Sequence, residues 1–495
     1  MERFEKIQLP EFKTINFDIS WNKINKSFIS LKTIKMKKTT LFLAALLTAL
    51  LVEAQITFQK TYGGNYIDSG NSVLQTADGG YILTGAYRLS ENNSDICLIK
   101  TDELGNQVWM ETYGGEYDEC GISLIQTTEN GYFIVGNQSE DMMGEDFDIF
   151  IVKTDENGNI LLTKTYGADG VDYIVSDCQQ TNDNGYILTG RIENGDEDVL
   201  LMNLDEFGDS LWTKTFKGNY GGSVQQTSDN GYIISGSTDL IGFYSVAYLI
   251  KTDEIGDTIW TKIYSEVPRG GPVIQTDEGG YLISGYGYDI SLIRTDSNGD
   301  ILWTKTYINS GYEYPTSIIK TTDGNFLILS KFNESGATPE NMLMRKIDQN
   351  GNILWTNSYE LGGGHSSCIE ETGDNGFIVT GQLYNDTKGS YDIFLLKTNE
   401  NGLVMGTGEN FDNTFSGKIF PNPSKGLFTL EFGNEIRNIS SIEIVDLNGK
   451  TVYQRNIDGD KNDKIRIDLS NYRKGMLFLK LFYDNTVFIE KIVVH

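Results

Sequence analysis

One pattern, repeated along most of the chain, restricts the fold more than any other sequence feature. A Gln-Thr-x-Asp-Gly-Gly-Tyr motif followed by an apolar run occurs seven times, with some variation. Its second glycine position is occupied by Gly80, Gly131, Gly185, Gly231, Gly280, Asn325 and Gly376. The mean period is about 49 residues, and self-similarity at a fixed period of this size indicates a repeat architecture.

Two further motifs recur with the same period. Lys-Thr-Asp-x-x-Gly-Asn or a close variant begins at Lys100, Lys153, Asn203, Lys251, Arg294, Lys346 and Lys397. Trp-x-Lys-Thr-Tyr or a close variant occupies Trp109–Tyr113, Leu162–Tyr166, Trp212–Phe216, Trp260–Tyr264, Trp303–Tyr307 and Trp355–Tyr359. Each unit thus contains four short runs rich in Val, Ile, Leu, Thr and Tyr, which predict four β-strands.

Several of these runs are apolar on both faces, as in Tyr81–Leu83 and Ile96–Ile99. A sheet with one solvated face would not tolerate that pattern, whereas a sheet packed between two others would. Four strands per unit, repeated seven times, predict an all-β fold, a seven-bladed β-propeller. A flat sandwich array or a parallel β-helix is the alternative.

The two ends of the repeat region favour a closed ring. The seventh unit ends near Gly402 without a Trp-x-Lys-Thr-Tyr strand, while Phe58–Tyr62 is an isolated copy of that strand ahead of the first unit. We therefore expect the N-terminal strand to complete the last blade of a propeller spanning residues 55–404. Such pairing leaves no unpaired sheet edge at the closure.

Loop lengths distinguish the two faces of this propeller. The third and fourth strands are always joined by a connection of one length, as are the first and second strands. The second-to-third loops and the connections between blades vary, and in an up-and-down blade these two classes emerge at the same end. We call this end the loop face and the opposite end the uniform face. Binding residues more often lie on variable loops held by a rigid frame, so we expect the ligand on the loop face.

The blade connections on the loop face combine aromatic, acidic and basic side chains. Tyrosine offers a flat apolar ring with a hydroxyl, which suits sugar or peptide binding, and a ring of acids would favour cations or basic groups. The candidate ligand-binding residues are Tyr66, Asp68, Tyr117, Glu119, Asp172, Tyr173, Tyr220, Arg269, Tyr312, Glu313 and His365.

Composition narrows the function classes. The formal net charge of -29 would repel nucleic acid, and the chain has only two histidines, His365 and His495. The four cysteines have no short paired spacing, which argues against a metal knuckle or a disulfide framework. Repeated segments such as Asp155–Asn159 fit capped tight turns better than calcium loops, because the EF-hand spacing is absent. We therefore expect no metal and no cofactor.

The chain contains no Gly-x-Ser-x-Gly elbow, no phosphate-binding loop and no His-Glu-x-x-His motif. We therefore assign no catalytic residue and favour a protein that is not an enzyme. The alternative is a glycan hydrolase or lyase that uses two carboxylates as acid and base. The carboxylates available for such a pair are Asp68, Glu119, Asp172 and Glu313.

The N-terminal region contains the pattern of an export signal. Lys37 and Lys38 precede the apolar run Leu41–Val52, and Val52–Ala54 forms a small-residue cleavage site. We expect a signal peptide over residues 36–54, cleaved between Ala54 and Gln55, with residues 1–35 as an upstream extension and Met36 as the initiator. The apolar run is too short for an uncleaved transmembrane anchor, which needs about 20 residues.

The periodicity stops after Gly402. Residues 405–416 have the Gly- and Asn-rich composition of a linker, and residues 417–495 alternate short strands with turns. That alternation predicts a small antiparallel β-sandwich.

Three motifs in this last segment occur together: Pro-Asn-Pro at 421–423, Asp-Leu-Asn-Gly-Lys at 446–450, and a final Lys-Ile-Val-Val strand from Lys491. In this order they resemble the C-terminal sorting domain of the type IX secretion system of the Bacteroidetes phylum. The resemblance implies passage through the inner membrane and recognition by an outer-membrane translocon, with a secreted or surface-displayed product. The residues that carry it are Pro421, Asn422, Pro423, Gly449, Lys450, Gly475 and Lys491.

Together these features predict a monomeric, secreted or surface-displayed propeller that binds a glycan or a protein through its loop face. The repeats are similar to uncharacterised propellers that carry such sorting domains, and this similarity implies no particular ligand.

Overall fold

The computed structural model describes residues 55–91, 93–116, 118–139, 146–240, 244–308, 311–334, 341–404, 418–431, 439–446, 451–457, 464–470, 472, 474–483 and 486–495. Regular secondary structure within these ranges consists of β-strands. The expected upstream extension and signal peptide (residues 1–54) and the expected linker (405–416) lie outside them.

The described part of the repeat region forms seven four-stranded antiparallel sheets, the blades. Their first strands are β2 (Ser69–Gln75), β6 (Glu119–Gln126), β10 (Asp172–Gln180), β14 (Tyr220–Gln226), β18 (Gly270–Gln275), β22 (Gly311–Lys320) and β26 (His365–Glu371). Their second strands are β3 (Tyr81–Ser90), β7 (Tyr132–Ser139), β11 (Tyr186–Glu193), β15 (Tyr232–Leu240), β19 (Tyr281–Tyr286), β23 (Phe326–Glu334) and β27 (Phe377–Asn385).

The third strands are β4 (Asn93–Thr101), β8 (Phe147–Thr154), β12 (Glu197–Leu204), β16 (Tyr244–Thr252), β20 (Ile290–Thr295), β24 (Asn341–Ile347) and β28 (Ser390–Thr398). The fourth strands are β5 (Gln107–Tyr113), β9 (Ile160–Tyr166), β13 (Ser210–Lys217), β17 (Thr258–Pro268), β21 (Ile301–Tyr307), β25 (Ile353–Glu360) and, for the last blade, β1 (Phe58–Tyr62). We number the blades 1 to 7 in the order of their first strands.

The blades form a closed ring. Each first strand contacts the first strands of both neighbouring blades, and β26 of blade 7 contacts β2 of blade 1. All seven first strands line a central channel. The expected seven-bladed propeller is therefore confirmed.

The N-terminal strand completes blade 7, as expected. β1 pairs antiparallel with β28, with Phe58 opposite Lys397 and Tyr62 opposite Ile393. The hydroxyl of Tyr62 donates to the carbonyl of Gly105 in blade 1 at 2.6 Å. The strand therefore joins blade 7 to blade 1 as well as completing its sheet.

The repeated motifs connect neighbouring blades. The outer-strand tyrosine donates to the carbonyl of a turn glycine in the next blade, as Tyr113 does to Gly158 at 2.7 Å and Tyr264 to Gly299 at 2.8 Å. The glutamine of Gln-Thr accepts from a turn amide of the preceding blade, as Gln75 does from Gly373 across the ring closure at 2.8 Å. These bonds explain why the same residues recur at a fixed period.

The lysine of Lys-Thr-Asp holds a turn inside its own blade. Buried lysines pair with the aspartate of the first-to-second turn at Lys100–Asp78, Lys251–Asp229, Lys346–Asp323 and Lys397–Asp374. Hydrogen bonds from Lys100 and Thr76, with a smaller contribution from the lysine's charge, lower the pKa of Asp78 to about 2.

The tight turns of the uniform face use Gly or Asn at positive φ, for example Gly158 (82°) and Asn130 (64°). In the third-to-fourth turn, Oδ1 of Asp155 accepts from the amides of Asn157 and Asn159, both at 2.9 Å. The carboxylate is therefore used to cap the turn, as the sequence predicts.

The C-terminal segment forms two antiparallel sheets. One contains β29 (Lys418–Phe420), β30 (Leu427–Glu431) and β33 (Lys464–Asp468), and the other β31 (Ile439–Asp446), β32 (Thr451–Asn456), β34 (Gly475–Tyr483) and β35 (Thr486–Val494). Side chains from both sheets, including Phe428, Ile467, Ile444 and Leu479, share one hydrophobic core. This arrangement is the expected small sandwich.

Candidate functional site

Three of the candidate acids lie at the loop-face end of the blades, but their side chains are buried. Asp68 accepts from the amides of Gly64 and Arg88, both at 2.7 Å, and Glu119 accepts from the amide of Gly115 at 3.1 Å. Glu313 forms a two-pronged ion pair with the buried Arg345, at 2.7 and 3.1 Å. Because these carboxylates are 0%, 1% and 0% exposed, they are held inside the protein rather than presented on its surface.

The remaining candidates in blades 1, 3 and 7 are dispersed. Tyr66 is 37% exposed in the β1–β2 connection. Asp172 accepts from the amide of Phe147 at 3.0 Å, and the half-buried Tyr173 packs against a hydrophobic core cluster. Burial, followed by the charge of Lys331, lowers the pKa of His365 to about 4, so its imidazole is neutral at physiological pH. Tyr117 lies outside the described residues.

The structure brings other candidates together in one aromatic cluster. Tyr312, at the start of β22, stacks on Tyr288 of the β19–β20 loop with ring centroids 4.6 Å apart and planes 27° apart. Tyr312 also lies 6.5 Å from Tyr314 of the same strand, at an interplanar angle of 13°. Tyr286 contacts Tyr314 at 5.3 Å. We call these four residues, Tyr286, Tyr288, Tyr312 and Tyr314, the tyrosine surface.

The tyrosine surface is open to solvent on the loop face of blades 5 and 6. Tyr288 is 72% exposed and Tyr314 is 38% exposed. A side-chain hydrogen bond with Tyr288 raises the pKa of Tyr312, so the Tyr312 hydroxyl is neutral at physiological pH. The site therefore offers aromatic rings bordered by hydrogen-bonding hydroxyls.

Two more predicted residues form the blade 4 side of this cluster. The hydroxyl of Tyr220 lies 3.1 Å from the carbonyl of Gly270 and 3.2 Å from the hydroxyl of Tyr286. The exposed Arg269 lies over the Tyr286 ring, 5.9 Å from its centroid. Arg269 has a φ of 39°, whereas every other positive-φ position in the described ranges is occupied by Gly or Asn.

Sequence reasoning identified Tyr220, Arg269 and Tyr312 in this cluster and missed Tyr286, Tyr288 and Tyr314. The signal that could have found them is the Tyr286-Gly-Tyr288 segment in the shortest second-to-third loop of the repeat region. That loop belongs to the variable class, and its tyrosines contact the start of β22, which carries Tyr312 and Tyr314.

The central channel is a concave feature with a volume of about 900 Å³. Its lining is mainly amide, hydroxyl and aliphatic, and it includes the carboxylates of Asp177 and Glu370. Burial raises the pKa of Asp177 to about 6 and that of Glu370 to about 7. Asp177 is held by the amides of Cys178 and Val224, both at 2.9 Å.

Neither a metal cluster nor a membrane helix is found where the structure can be described. Those residues contain no group of three or more His, Cys, Asp and Glu side chains placed to hold a metal ion. They also include no helix long and apolar enough to cross a membrane.

Most of the sorting-motif residues lie in the sandwich. The side-chain oxygen of Asn422, between Pro421 and Pro423, accepts from the amide of Val493 in the last strand at 2.9 Å. Gly475 begins β34 opposite Val494, and Lys491 lies in β35 opposite Phe478. Gly449 and Lys450 lie outside the described residues. The Pro-Asn-Pro segment thus binds directly to the C-terminal strand.

Comparison with known families confirms the assignment of this segment. Residues 418–495 match the family described as the secretion system C-terminal sorting domain. The protein therefore carries a type IX secretion sorting domain behind a seven-bladed propeller, and this domain implies export to the cell surface or the exterior.

The propeller has distant structural neighbours. A Bacteroides caccae protein of unknown function has 12% identity and a TM-score of 0.37, covering 59% of this chain and 94% of its own. YCF48 bound to a D1 peptide has 10% identity and a TM-score of 0.44, covering 70% and 96%. The WD40 propeller domain of Doa1 has 13% identity and a TM-score of 0.35, covering 56% and 88%. No curated protein matched the chain.

Proposed function

We propose that this protein is an extracellular, non-enzymatic binding protein whose propeller holds a glycan on the tyrosine surface. The observation that carries the proposal is the nearly parallel stacking of the half-buried Tyr312 with Tyr288 and Tyr314, which are both exposed on the loop face. A large aromatic group that is 72% exposed, as Tyr288 is, gains no folding stability from most of its area. Such a group suggests a surface kept for binding.

The chemistry of the cluster favours a sugar. Tyrosine rings give a flat apolar face for the C–H side of a pyranose, and their hydroxyls can bond to its hydroxyl groups. The Tyr288–Tyr312 pair joins adjacent blades, and Tyr314 extends the aromatic cluster along β22. A cluster of several rings would suit more than one sugar residue, so we propose an oligosaccharide or polysaccharide ligand.

Export supports the same proposal. The sorting domain at residues 418–495 directs the propeller to the cell surface or beyond, where glycans are abundant ligands. We assign recognition by the translocon to the sandwich domain and ligand binding to the propeller.

The hydrolase or lyase alternative receives less support from the geometry. Asp68, Glu119 and Glu313 are buried and bonded to backbone amides or to Arg345. A glycosidase needs two carboxyl groups facing one scissile bond, about 5 to 10 Å apart. None of these three carboxylates is presented in that way.

The experiment is a glycan-array screen of the mature chain, residues 55–495, with released products measured in parallel. The test variant combines Tyr288→Ala, Tyr312→Ala and Tyr314→Ala. The matched control is Tyr384→Ala, because Tyr384 is a tyrosine that is 36% exposed at the loop-face end, but in blade 7.

We expect the triple variant to lose at least about tenfold in affinity, because exposed aromatic anchors dominate such sites. Tyr384→Ala should bind as the unmodified protein does. Equal retention by the triple variant would contradict the proposed site, and turnover of a bound glycan would contradict the non-enzymatic role. Binding of a protein partner by the same tyrosines, with no glycan retained, would contradict the ligand class.

A further inference from the structure

A second feature of the loop face lies between blades 1 and 2 and does not depend on the proposed function. Two buried carboxylates, Asp95 of β4 and Glu119 of β6, point into the same small space beside Gly114. A Cβ on Gly114 would lie 2.5 Å from Oε2 of Glu119 and 2.6 Å from Oδ1 of Asp95. Only a residue without a side chain fits beside these two carboxylates.

The oxygens that face this space lack protein partners. Glu119 and Asp95 are only 1% and 8% exposed. Oε2 of Glu119 and Oδ1 of Asp95 are buried and have no hydrogen-bond donor among the described residues. Oδ1 of the neighbouring Asn93 is likewise buried and unpartnered, while its amide nitrogen donates to the carbonyl of Gly115 at 3.0 Å. Buried acceptors in native structures normally have a partner, so an orphaned set requires an explanation.

The repeat supplies an internal comparison. Asp392 of β28 and Asp68 occupy the equivalent positions between blades 7 and 1, where a Cβ on Gly63 would lie 2.3 and 2.7 Å from their oxygens. There the ammonium of Lys388 donates to both oxygens of Asp392 at 3.0 Å and to the carbonyl of Gly63 at 3.2 Å. The same arrangement of acids is thus supplied with a cation by the chain itself.

A second equivalent position also has its cation. Asp198, the counterpart of Asp95 in blade 3, accepts from Lys217 at 3.2 Å. Between blades 1 and 2, by contrast, no Lys or Arg of the described residues forms an ion pair with Asp95 or Glu119. Arg88 approaches the adjacent Asp118, at 3.9 Å. This interface has the two acids found between blades 7 and 1 without the positive charge that Lys388 supplies there.

We propose that the space between Asp95 and Glu119 binds a calcium ion, with Oε2 of Glu119, Oδ1 of Asp95 and Oδ1 of Asn93 as protein ligands. Calcium takes six to eight oxygen ligands, including amide oxygens and waters, and tolerates irregular geometry. An all-oxygen set without His or Cys disfavours zinc and copper. The ion would take the place that the Lys388 ammonium occupies between blades 7 and 1.

Electrostatics agrees with this geometry. Burial, followed by the charges of Asp95 and Asp118, raises the pKa of Glu119 to about 7, although the Gly115 amide lowers it. Burial also raises the pKa of Asp95, against a hydrogen bond from Thr112. A bound divalent cation would remove the cost of ionising both groups and would join blade 1 to blade 2.

The test uses the mature chain treated with a chelator, dialysed, and titrated with calcium chloride. Isothermal titration gives the stoichiometry and affinity, and thermal unfolding gives the stabilisation. Two variants address the site. Glu119→Gln removes one charged ligand while keeping its shape, and Gly114→Ala places a methyl group in the ion's space without changing charge. Glu103→Gln, an exposed isosteric change on the uniform face, is the matched control.

We expect one tightly bound calcium per chain and a rise in Tm with calcium for the unmodified protein and for Glu103→Gln. Both site variants should lose at least tenfold in calcium affinity, and the calcium-dependent rise in Tm should shrink accordingly. Without calcium, the Tm of Glu119→Gln should be no lower than that of the unmodified protein. This comparison checks that the variant folds.

Two results would overturn the proposal. One is the absence of calcium uptake by the unmodified protein up to several millimolar, beyond the range of about 10⁻⁴ to 10⁻³ M typical of extracellular calcium modules. The other is calcium binding by folded Glu119→Gln with unchanged stoichiometry and affinity, which would place the ion elsewhere.

Discussion

Replacing Tyr62 with Ala should destabilise the ring at its closure. The side chain is 8% exposed in a core cluster with Leu83, Ile99 and Ile393, and it is the residue of β1 that bonds to blade 1 through Gly105. Truncating a buried aromatic side chain to Ala costs about 3–5 kcal/mol. Leaving the Gly105 carbonyl without its donor adds about 1–3 kcal/mol.

A loss of about 4 kcal/mol or more is a large part of the roughly 5–15 kcal/mol typical of folded domains. We expect the midpoint of thermal unfolding to fall by roughly 10 °C and the protein to aggregate more readily through the exposed edge of β28. The assay is thermal unfolding with size-exclusion chromatography of the mature chain.

Thr61→Ala is the control on the same strand, because Thr61 is exposed and exposed substitutions usually stay within about 0.5 kcal/mol. Deleting residues 55–62 removes the whole strand and should have a larger effect than Tyr62→Ala. Equal unfolding midpoints for Tyr62→Ala and Thr61→Ala, with both proteins monomeric, would refute the argument that β1 holds the ring closed.

Three further predictions concern export, a buried ion pair and pH. Deleting residues 417–495 should leave a folded propeller in the periplasm, as cell fractionation would show; normal amounts outside the cell would contradict the sorting role. Arg345→Met removes the cation that the buried Glu313 faces, so the free energy of unfolding measured by chemical denaturation should fall by about 3–5 kcal/mol. The double variant Arg345→Met with Glu313→Leu should recover much of this loss. An unchanged free energy of unfolding for the single variant would contradict this account. Burial raises the pKa of Glu370 from 4.5 to about 7. Between these two pH values the Glu370 carboxyl keeps its proton in the folded protein but loses it in the unfolded chain, so the free energy of unfolding declines as pH rises from 4.5 to about 7. Glu370→Gln should therefore stabilise the protein at pH 8 but not at pH 4; equal effects at both pH values would show that the carboxyl does not titrate in this way.

The repeat explains why the fold could be predicted. Each blade has the same four strands. The seventh unit lacks its fourth strand and Phe58–Tyr62 is an extra copy of that strand, so the sequence alone predicts that the two pair. The turns are equally predictable, because Asp155 and Gly158 satisfy a local rule of turn geometry. Predictions succeeded where the deciding interactions lie within one repeat or between equivalent positions of two repeats.

The site was only partly predictable because it depends on contacts between unlike loops. Tyr288 and Tyr312 lie 24 positions apart in different blades, and only the conformations of both loops show that their rings stack. Glu313 has the same appearance in the sequence as an exposed loop acid, yet its partner Arg345 lies two strands away. Burial of Asp68 and Glu119 likewise follows from the neighbouring blade, which the sequence of a single repeat does not contain.

The most direct test of the proposed binding function is a crystal structure of the mature protein with an oligosaccharide identified on the array. We predict a sugar ring stacked on Tyr288 or Tyr312, within contact of Tyr314, on the loop face of blades 5 and 6. A ligand seated in the central channel or on the uniform face, with these tyrosines free, would contradict the central claim.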